Sequence, residues 1–350
     1  MAGLPNILIE FKSKASTAIA RGERGVVAVM VIDETQGVTK VESIPAIPEG
    51  LTPENKAYVE RAFLGGLNPI KYVQLIVTDT VANGLKVLET IKFDYAVGPH
   101  DISSEDATTF ATFIKGLRDN KGIKVKAVLP NTKGDNEGVI NFTTTDIVVG
   151  ETTFTTAQYC SRIAGLLAGT PLQMSATYYR LSEVDDVPKF TKSELDAKIN
   201  SGEFVIFHDG DKVKVARAVN SLTTVGATKS EDYKSIKIVD IMDLIYTDIK
   251  RTCEDSYIGK FANNYDNKCN LIVSIQAYLE ALRDDELLDK DIVTGIDMEA
   301  QTNYLKGKGE NVADMTEQEI KEANTQTFVF LQAKYKILNA IEDITINFYI

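Results

Sequence analysis

The sequence predicts a multidomain protein that combines an α/β domain with a C-terminal α+β domain. Between residue 71 and about residue 220, short apolar segments of strand type alternate with segments of helical periodicity, which is typical of a layered α/β domain. Two strongly amphipathic helical segments follow at 236–249 and 271–282, and strand-like alternation returns at 328–338. Both ends of the chain also carry short alternating apolar segments, which indicate extended arms.

The chain has 350 residues, which is enough for two or three domains with sizeable cores. Changes in the sequence pattern suggest where the boundaries lie. We expect an N-terminal arm at 1–20, an N-terminal β-rich domain at 21–92, a central α/β domain at 93–228, a C-terminal domain at 229–340 and a C-terminal arm strand at 341–350.

The predicted strands include one that is expected to be fully buried and two that are expected to form a hairpin. Residues 26–32 form a continuous apolar run, which indicates a strand that is buried on both faces of a sheet. Further strands are expected at 72–77, 95–97, 125–129 and 146–149. The segments 204–207 and 213–216 flank Asp209 and Gly210, a dipeptide that favours the tight turn of a β-hairpin.

The predicted helices are placed by their capping and stop residues. Thr52 or Asn55 is expected to cap the first helix, and Ser103 or Ser104 the helix that continues to Leu117. In chain order, helices are expected near 55–64, 83–90, 104–117, 156–167, 193–199, 236–249, 271–282 and 316–323. A Gly-Gly pair follows the first helix and Gly-Thr-Pro follows the fourth, and both sequences are typical of helix ends.

The charge and composition of the chain exclude some classes of partner. The formal net charge is −12, and residues 284–322, with twelve Asp and Glu against four Lys, contribute −8 of it. A chain this acidic lacks the Lys and Arg patches that coat nucleic acid or an anionic membrane, so neither is expected as a partner. The first residues lack the basic and apolar regions of a signal peptide. Cys160, Cys253 and Cys269 are too widely spaced for a disulfide framework and are expected to be small core residues.

Motifs for catalysis and for cofactor binding are missing from the sequence. There is no phosphate-binding loop, no dinucleotide-binding glycine fingerprint and no nucleophile elbow. His100 is expected just after a strand and His208 at a hairpin tip, and neither has further ligands at metal spacing. We therefore expect a structural protein with no catalytic residue, no metal and no cofactor. The alternative is an α/β hydrolase-like enzyme that uses His100 or His208 as its base.

The two ends of the chain are its most informative segments. In the N-terminal segment, Ile7, Ile9 and Phe11 would share one face of a strand. In the C-terminal segment four apolar residues would do so, namely Ile344, Ile346, Phe348 and Ile350. Because an unpaired apolar strand is an aggregation hazard, each end must pair with another strand. Either the two ends pair within their own subunit, or each completes a sheet in a neighbouring subunit, as in helical filaments or stacked rings.

The sequence resembles the contractile tail sheath proteins of myophages, defective prophages and R-type bacteriocins. The similarity runs nearly from end to end. It rests on five segments in the expected order: GLPNI at 3–7, RGERGVVA at 21–28, YCSRIAGLLAGTP at 159–171, RAVNSLTT at 217–224 and YIGKFANN at 257–264. Each segment alone is weakly diagnostic, and their common order makes the resemblance specific.

This resemblance implies a sheath subunit that polymerises as stacked hexameric rings around an inner tail tube and shortens to drive the tube through a bacterial envelope. The implied partners are further copies of the chain, the tube protein, and baseplate and tail terminator proteins. The implied location is a virion tail or bacteriocin particle, assembled in the cytoplasm of the bacterial host. The resemblance also implies arms that reach into neighbouring subunits, and a central domain that is subtilisin-like in fold only, since no Asp-His-Ser set can be assigned.

The resemblance further places the surface that faces the tube in the C-terminal region. The candidates are charged residues of the predicted helix 316–323, namely Glu317, Glu319, Lys321 and Glu322. The alternative is that this helix faces outwards into solvent. During contraction we expect nearly rigid-body movement of the domains, with flexible junctions to the arms near 18–25 and 339–343.

Overall fold

The computed structural model describes residues 18–226 and 229–349, and those residues form two compact units. The larger, here called the central unit, comprises Gly22–Thr247 together with the described residues from Leu338 onwards. The smaller, here called the C-terminal unit, comprises Asp248–Ile337 and the short described stretch before Gly22. The central unit has α/β architecture and the C-terminal unit has α+β architecture, which confirms the predicted fold class.

The central unit is built on a mixed sheet. In chain order its strands are β1 (Val26–Ile32), β2 (Gly37–Val41), β3 (Tyr72–Thr78), β4 (Tyr95–Val97), β5 (Lys126–Pro130), β6 (Val139–Phe142), β7 (Ile147–Val149), β8 (Thr152–Phe154), β9 (Glu203–Phe204), β10 (Ile206–His208) and β11 (Val213–Val215). Seven of these described strands form one sheet in the order β2-β3-β1-β4-β5-β6-β9. The edge strand β2 is antiparallel to β3, and the other neighbours are parallel. The pairs β7–β8 and β10–β11 form separate antiparallel ribbons.

Helices cover both faces of this sheet, which explains the continuous apolar run in β1. The helices of the central unit are α1 (Pro53–Ala62), α2 (Val81–Leu88), α3 (Ser104–Asn120), α4 (Thr156–Ala168), α5 (Lys192–Asn200) and α6 (Ile236–Thr252), whose last turn belongs to the C-terminal unit. Val27 and Val29 lie in the apolar core with residues of α1 and α4. Ala28 and Met30 point to the opposite face and lie in the core with residues of α2 and α3.

The segment 159–171, which is one of the five segments of the resemblance, owes its composition to close packing of α4. A Cβ at Gly165 would lie 2.1 Å from the carbonyl oxygen of Ala62 in α1, so the two helices approach too closely for a larger residue. The buried guanidinium of Arg162 donates to the carbonyl oxygen of Gly65 at 2.6 Å and to Glu183 at 2.5 Å. The small and charged residues of α4 therefore have structural roles.

A buried cluster of charged side chains holds α6 on the central sheet. Asp240 contacts Arg24 at 2.7 Å and Lys126 at 2.9 Å. Asp243, one helical turn later, accepts hydrogen bonds from Lys126 at 2.7 Å and from both terminal nitrogens of Arg118 at 2.8 and 2.9 Å. Burial raises the pKa of Asp243, but the attraction of Lys126 and Arg118 outweighs it and brings the pKa below its ordinary value. The cluster therefore fixes α3, β5 and the segment just before β1 to one face of α6.

The C-terminal unit contains three helices and a two-stranded ribbon among its described residues. These are α7 (Tyr265–Asp284), β12 (Val293–Ile296), α8 (Met298–Gly307), α9 (Glu317–Glu322) and β13 (Leu331–Lys334), and a π-turn at Cys253–Tyr257 follows α6. Strands β12 and β13 pair in antiparallel fashion. In the part of the chain that the structure describes, no helix is both long and apolar enough to cross a membrane.

The domain boundaries in the structure differ from the predicted ones. The predicted domains 21–92 and 93–228 share the seven-stranded sheet, and Gly22–Thr247 belong to one compact unit. The reason is that β4 and the strands after it pair next to β1, so the strands cannot form two separate cores. The division between the two units falls inside α6, after Thr247.

Candidate functional site

An enzyme of this architecture would bind its ligand at the carboxyl ends of the parallel strands, where the strand order reverses. In the central unit, side chains of α1 occupy this position between β1 and β4. The amide of Asn55 donates to the backbone oxygen of Ile32 at 2.9 Å, and the hydroxyl of Tyr58 donates to the backbone oxygen of Gly98 at 3.0 Å. The ring of His100 meets the ring of Tyr58 edge-on, with 6.1 Å between the centroids. His100 is therefore packed against a structural tyrosine.

The second histidine has a local role at the tip of the β10–β11 hairpin. Nδ1 of His208 accepts a hydrogen bond from the backbone N–H of Gly210 at 3.0 Å. Among the described residues, no group of three or more His, Cys, Asp and Glu side chains could hold a metal ion. These arrangements give no support to the hydrolase alternative.

The three cysteines are free thiols in different environments. Cys160 is buried in α4, and burial raises the pKa of its thiol. Cys253, in the π-turn, and Cys269, on α7, are only partly buried. The prediction of a small core residue is therefore correct for Cys160 and wrong for the other two, because their segments present those positions towards the surface.

The C-terminal arm segment, defined here as residues 341–349, has no regular secondary structure and is exposed at every position except Glu342. The exposed fractions of Ile344, Ile346 and Phe348 are 73%, 65% and 85%. In the described part of the chain this segment pairs with no strand, so the predicted strand is not formed in the isolated subunit. Four other predicted arm residues lie outside the described residues, namely Ile7, Ile9, Phe11 and Ile350.

The root of the arm segment is held on the central unit through Glu342. Its carboxylate lies 2.8 Å from the hydroxyl of Ser175, 2.7 Å from the hydroxyl of Thr177 and 3.0 Å from Nε of Arg217. We call these four side chains the Glu342 clasp. Sequence reasoning missed the clasp, and the one available signal was that Arg217 opens the similarity segment 217–224.

The four candidate tube-facing residues lie together on α9 in the C-terminal unit. Glu319 accepts hydrogen bonds from the N-cap threonine at 2.7 and 2.8 Å, which lower its pKa. Lys321 contacts Glu317 at 2.6 Å, and Glu322 accepts from the amide of Gln318 at 2.6 Å. The glutamates are exposed, and Lys321 is partly exposed. The structure therefore brings these four residues together on one short helix, in a different compact unit from the arm segment.

Comparison with protein families gives two matches in chain order. Residues 75–221 match the phage tail sheath protein central domain, and residues 228–350 match the phage tail sheath C-terminal domain. Among curated proteins, the tail sheath protein of Clostridium phage phiCD119 is 41% identical over 355 residues, and the match covers 99% of this chain and 99% of that protein.

Solved structures share the fold at much lower sequence identity. The helical sheath of the anti-feeding prophage in its contracted state has a TM-score of 0.73 at 14% identity, with 100% of this chain and 99% of that chain covered. The sheath tail protein from Desulfitobacterium hafniense has a TM-score of 0.70 at 19% identity, with 83% and 94% covered. The resemblance inferred from the sequence is thus confirmed, and the chain belongs to the phage tail sheath protein family.

Proposed function

We propose that this protein polymerises as stacked hexameric rings around an inner tail tube, and that shortening of this sheath drives the tube through a bacterial envelope. The observation that carries the proposal is the exposed arm segment, whose apolar row has no strand partner in the described part of its own chain. The anti-feeding prophage sheath, which shares the fold, is described as helical and contracted. A helical polymer needs head-to-tail contacts, and a donated strand supplies one.

The energetics of strand donation favour a ring over an isolated pair of subunits. Burying Ile344, Ile346 and Phe348 would contribute about 1.5–3 kcal/mol each at full burial. Each new ladder hydrogen bond would add about 0.5–1.5 kcal/mol, whereas fixing the backbone costs about 1–2 kcal/mol per residue. One donated strand is therefore marginally stable. In a ring, each bound strand raises the effective concentration of the next contact, so the assembly becomes cooperative.

The β12–β13 ribbon is the acceptor that the structure supports best. Its two strands pair from Val293 with Lys334 to Ile296 with Leu331. A ribbon of two strands is marginally stable alone, and among the described residues neither strand has a second strand partner. An arm from another subunit would extend this ribbon into a larger sheet. The edge strand β2 is the alternative acceptor, because its outer edge is also unpaired in the described chain.

The acidic helix α9 is the proposed contact with the inner tube. Glu317, Glu319, Lys321 and Glu322 carry a net charge of −2, on a segment that is strongly acidic as a whole. Such a surface fits a tube whose exterior is locally basic, and the attraction should weaken with salt. The alternative is that α9 faces outwards into solvent.

The remaining partners and the location are proposed on the basis of family membership. The subunit would contact the baseplate at one end of the sheath and the tail terminator protein at the other. It would be synthesised and assembled in the bacterial cytoplasm and function in a virion tail or a bacteriocin particle. No catalytic role is proposed, because His100 and His208 have structural contacts in the central unit.

Electron microscopy of the purified protein tests this proposal. The full chain should form rings or tubes in negative stain without its tube protein, whereas a chain lacking residues 344–350 should stay folded and unassembled. The substitution Ile346→Asp should also prevent tube formation, because it places a charge in the apolar row. Thr345→Asp is the matched control, since it adds the same charge on the other face of the strand. Normal tubes from the truncated chain would overturn the role of the arm.

A further inference from the structure

We propose that the Glu342 clasp is a latch that fixes the root of the arm to its own subunit and makes the arm bend after Asp343. The inference rests on the proposed donation of the arm to a neighbouring subunit. It also changes the expected position of flexibility, because the sequence suggested a flexible junction over the whole of 339–343. The clasp lies inside that junction and joins it to the central unit.

The burial of Glu342 is the first argument for a latch. Its side chain is 15% exposed, whereas that of the next residue, Asp343, is 87% exposed. A carboxylate that loses most of its water is stable only where other donors replace that water. Glu342 receives these donors from two hydroxyls and one guanidinium of the central unit. Because the acceptor is ionised, these hydrogen bonds are stronger than bonds between neutral groups.

The second argument is that the receiving groups are held in place by the central unit itself. The hydroxyl of Thr177 accepts the backbone N–H of Ala218 at 3.0 Å, and the hydroxyl of Ser175 accepts the backbone N–H of Thr177 at 3.1 Å. The two hydroxyls also lie 2.9 Å from each other, so they form one compact polar group with the carboxylate oxygen of Glu342. The receptor for Glu342 is therefore preorganised, which lowers the entropy cost of closing the latch.

The third argument is the abrupt change in exposure on either side of the latch. Ile341 is 88% exposed and Ile344 is 73% exposed, so the segment is held on the central unit at Glu342 and at Asp343, which contacts Arg217 at 2.6 Å. A strand that starts from a fixed point searches a smaller volume than one on a long free tether, and its effective concentration at a neighbouring subunit is higher. The latch therefore promotes capture of the arm by the neighbour.

A spin label on the unassembled subunit tests the latch directly. Glu342→Gln keeps the size of the side chain and removes its charge, and Glu49→Gln is the matched control, since it makes the same change at an exposed position of the central unit. The label is placed at Ile341→Cys in full-length chains in which Cys253 and Cys269 are replaced by serine. We expect restricted motion of the label in the chain without further substitution and in E49Q. With E342Q, the ratio of mobile to restricted label should rise by at least about tenfold, as expected when a hydrogen bond to a charged group is lost.

Assembly supplies the second measurement. The concentration at which tubes first form should rise several-fold in E342Q and stay unchanged in E49Q. Equal label mobility in all three chains, or a mobile label with unchanged assembly, would overturn the latch. Arm donation itself is judged separately, because it fails only if chains lacking residues 344–350 still form normal tubes.

Discussion

Replacing Asp243 with asparagine removes one negative charge from the buried cluster that holds α6 on the central sheet. The side chains of Asp243, Lys126 and Arg118 are 9%, 4% and 3% exposed, so water cannot compensate for the lost charge. Asparagine keeps the shape, but its amide nitrogen would face a cation instead of accepting a hydrogen bond. Removing one partner of a buried ion pair costs about 3–5 kcal/mol, which is a large part of the stability of an ordinary domain.

Urea unfolding followed by circular dichroism measures this loss, with the chain kept below the concentration at which it assembles. We expect D243N to lower the free energy of unfolding of the central unit by about 3–5 kcal/mol. Asp211→Asn is the matched control, because Asp211 is 85% exposed and contacts Lys212 at 3.6 Å. The control should change stability by less than about 0.5 kcal/mol. A loss of less than about 1 kcal/mol in D243N would refute the structural role of the cluster.

Three further outcomes are expected. Glu137 joins the buried cluster through Arg118 at 3.5 Å and also contacts Lys229 at 2.8 Å. Because the pKa values of Asp243 and Glu137 are lowered in the folded chain, their stabilisation is complete above the ordinary values of 3.8 and 4.5 and disappears as the pH falls through the folded-state values. Urea titrations at falling pH should show the loss of stability, and D243N should show less of it. Alanine at both histidines should leave assembly and contraction intact in electron micrographs, and particles that assemble but do not contract would reveal a missed site. Replacing Glu317 and Glu322 with glutamine should weaken co-sedimentation with tubes at low salt more than at high salt, whereas unchanged binding would place α9 outside the interface.

Strong local patterns made much of the central unit predictable. The apolar run of β1 and the caps at Thr52 and Ser103 all appear in the structure as expected. Strands β2 and β6 were missed, because β2 has few apolar residues at an edge and the apolar run of β6 is interrupted by the polar residue Asn141. The helix expected near 193–199 begins slightly earlier, because Thr191 caps α5 through a capping box that the sequence does contain.

The clasp and the charged cluster could not be predicted from local patterns. Glu342 is separated by 167 residues from Ser175 and by 165 from Thr177. On a helical projection, Asp240 and Asp243 look like part of a solvated polar face. Their burial depends on Lys126 and Arg118, which lie more than one hundred residues earlier in the chain. Periodicity reports which face is polar, and long-range packing decides whether that face is exposed.

The central claim is that the arm leaves its own subunit and completes a sheet in another. A cryo-electron microscopy reconstruction of assembled tubes tests it most directly, because the path of the chain beyond Glu342 can be traced. The account predicts that residues 344–350 form a strand beside the β12–β13 ribbon of a neighbouring subunit, with the apolar row of Ile344, Ile346 and Phe348 buried. An arm that folds back and pairs within its own subunit would contradict it.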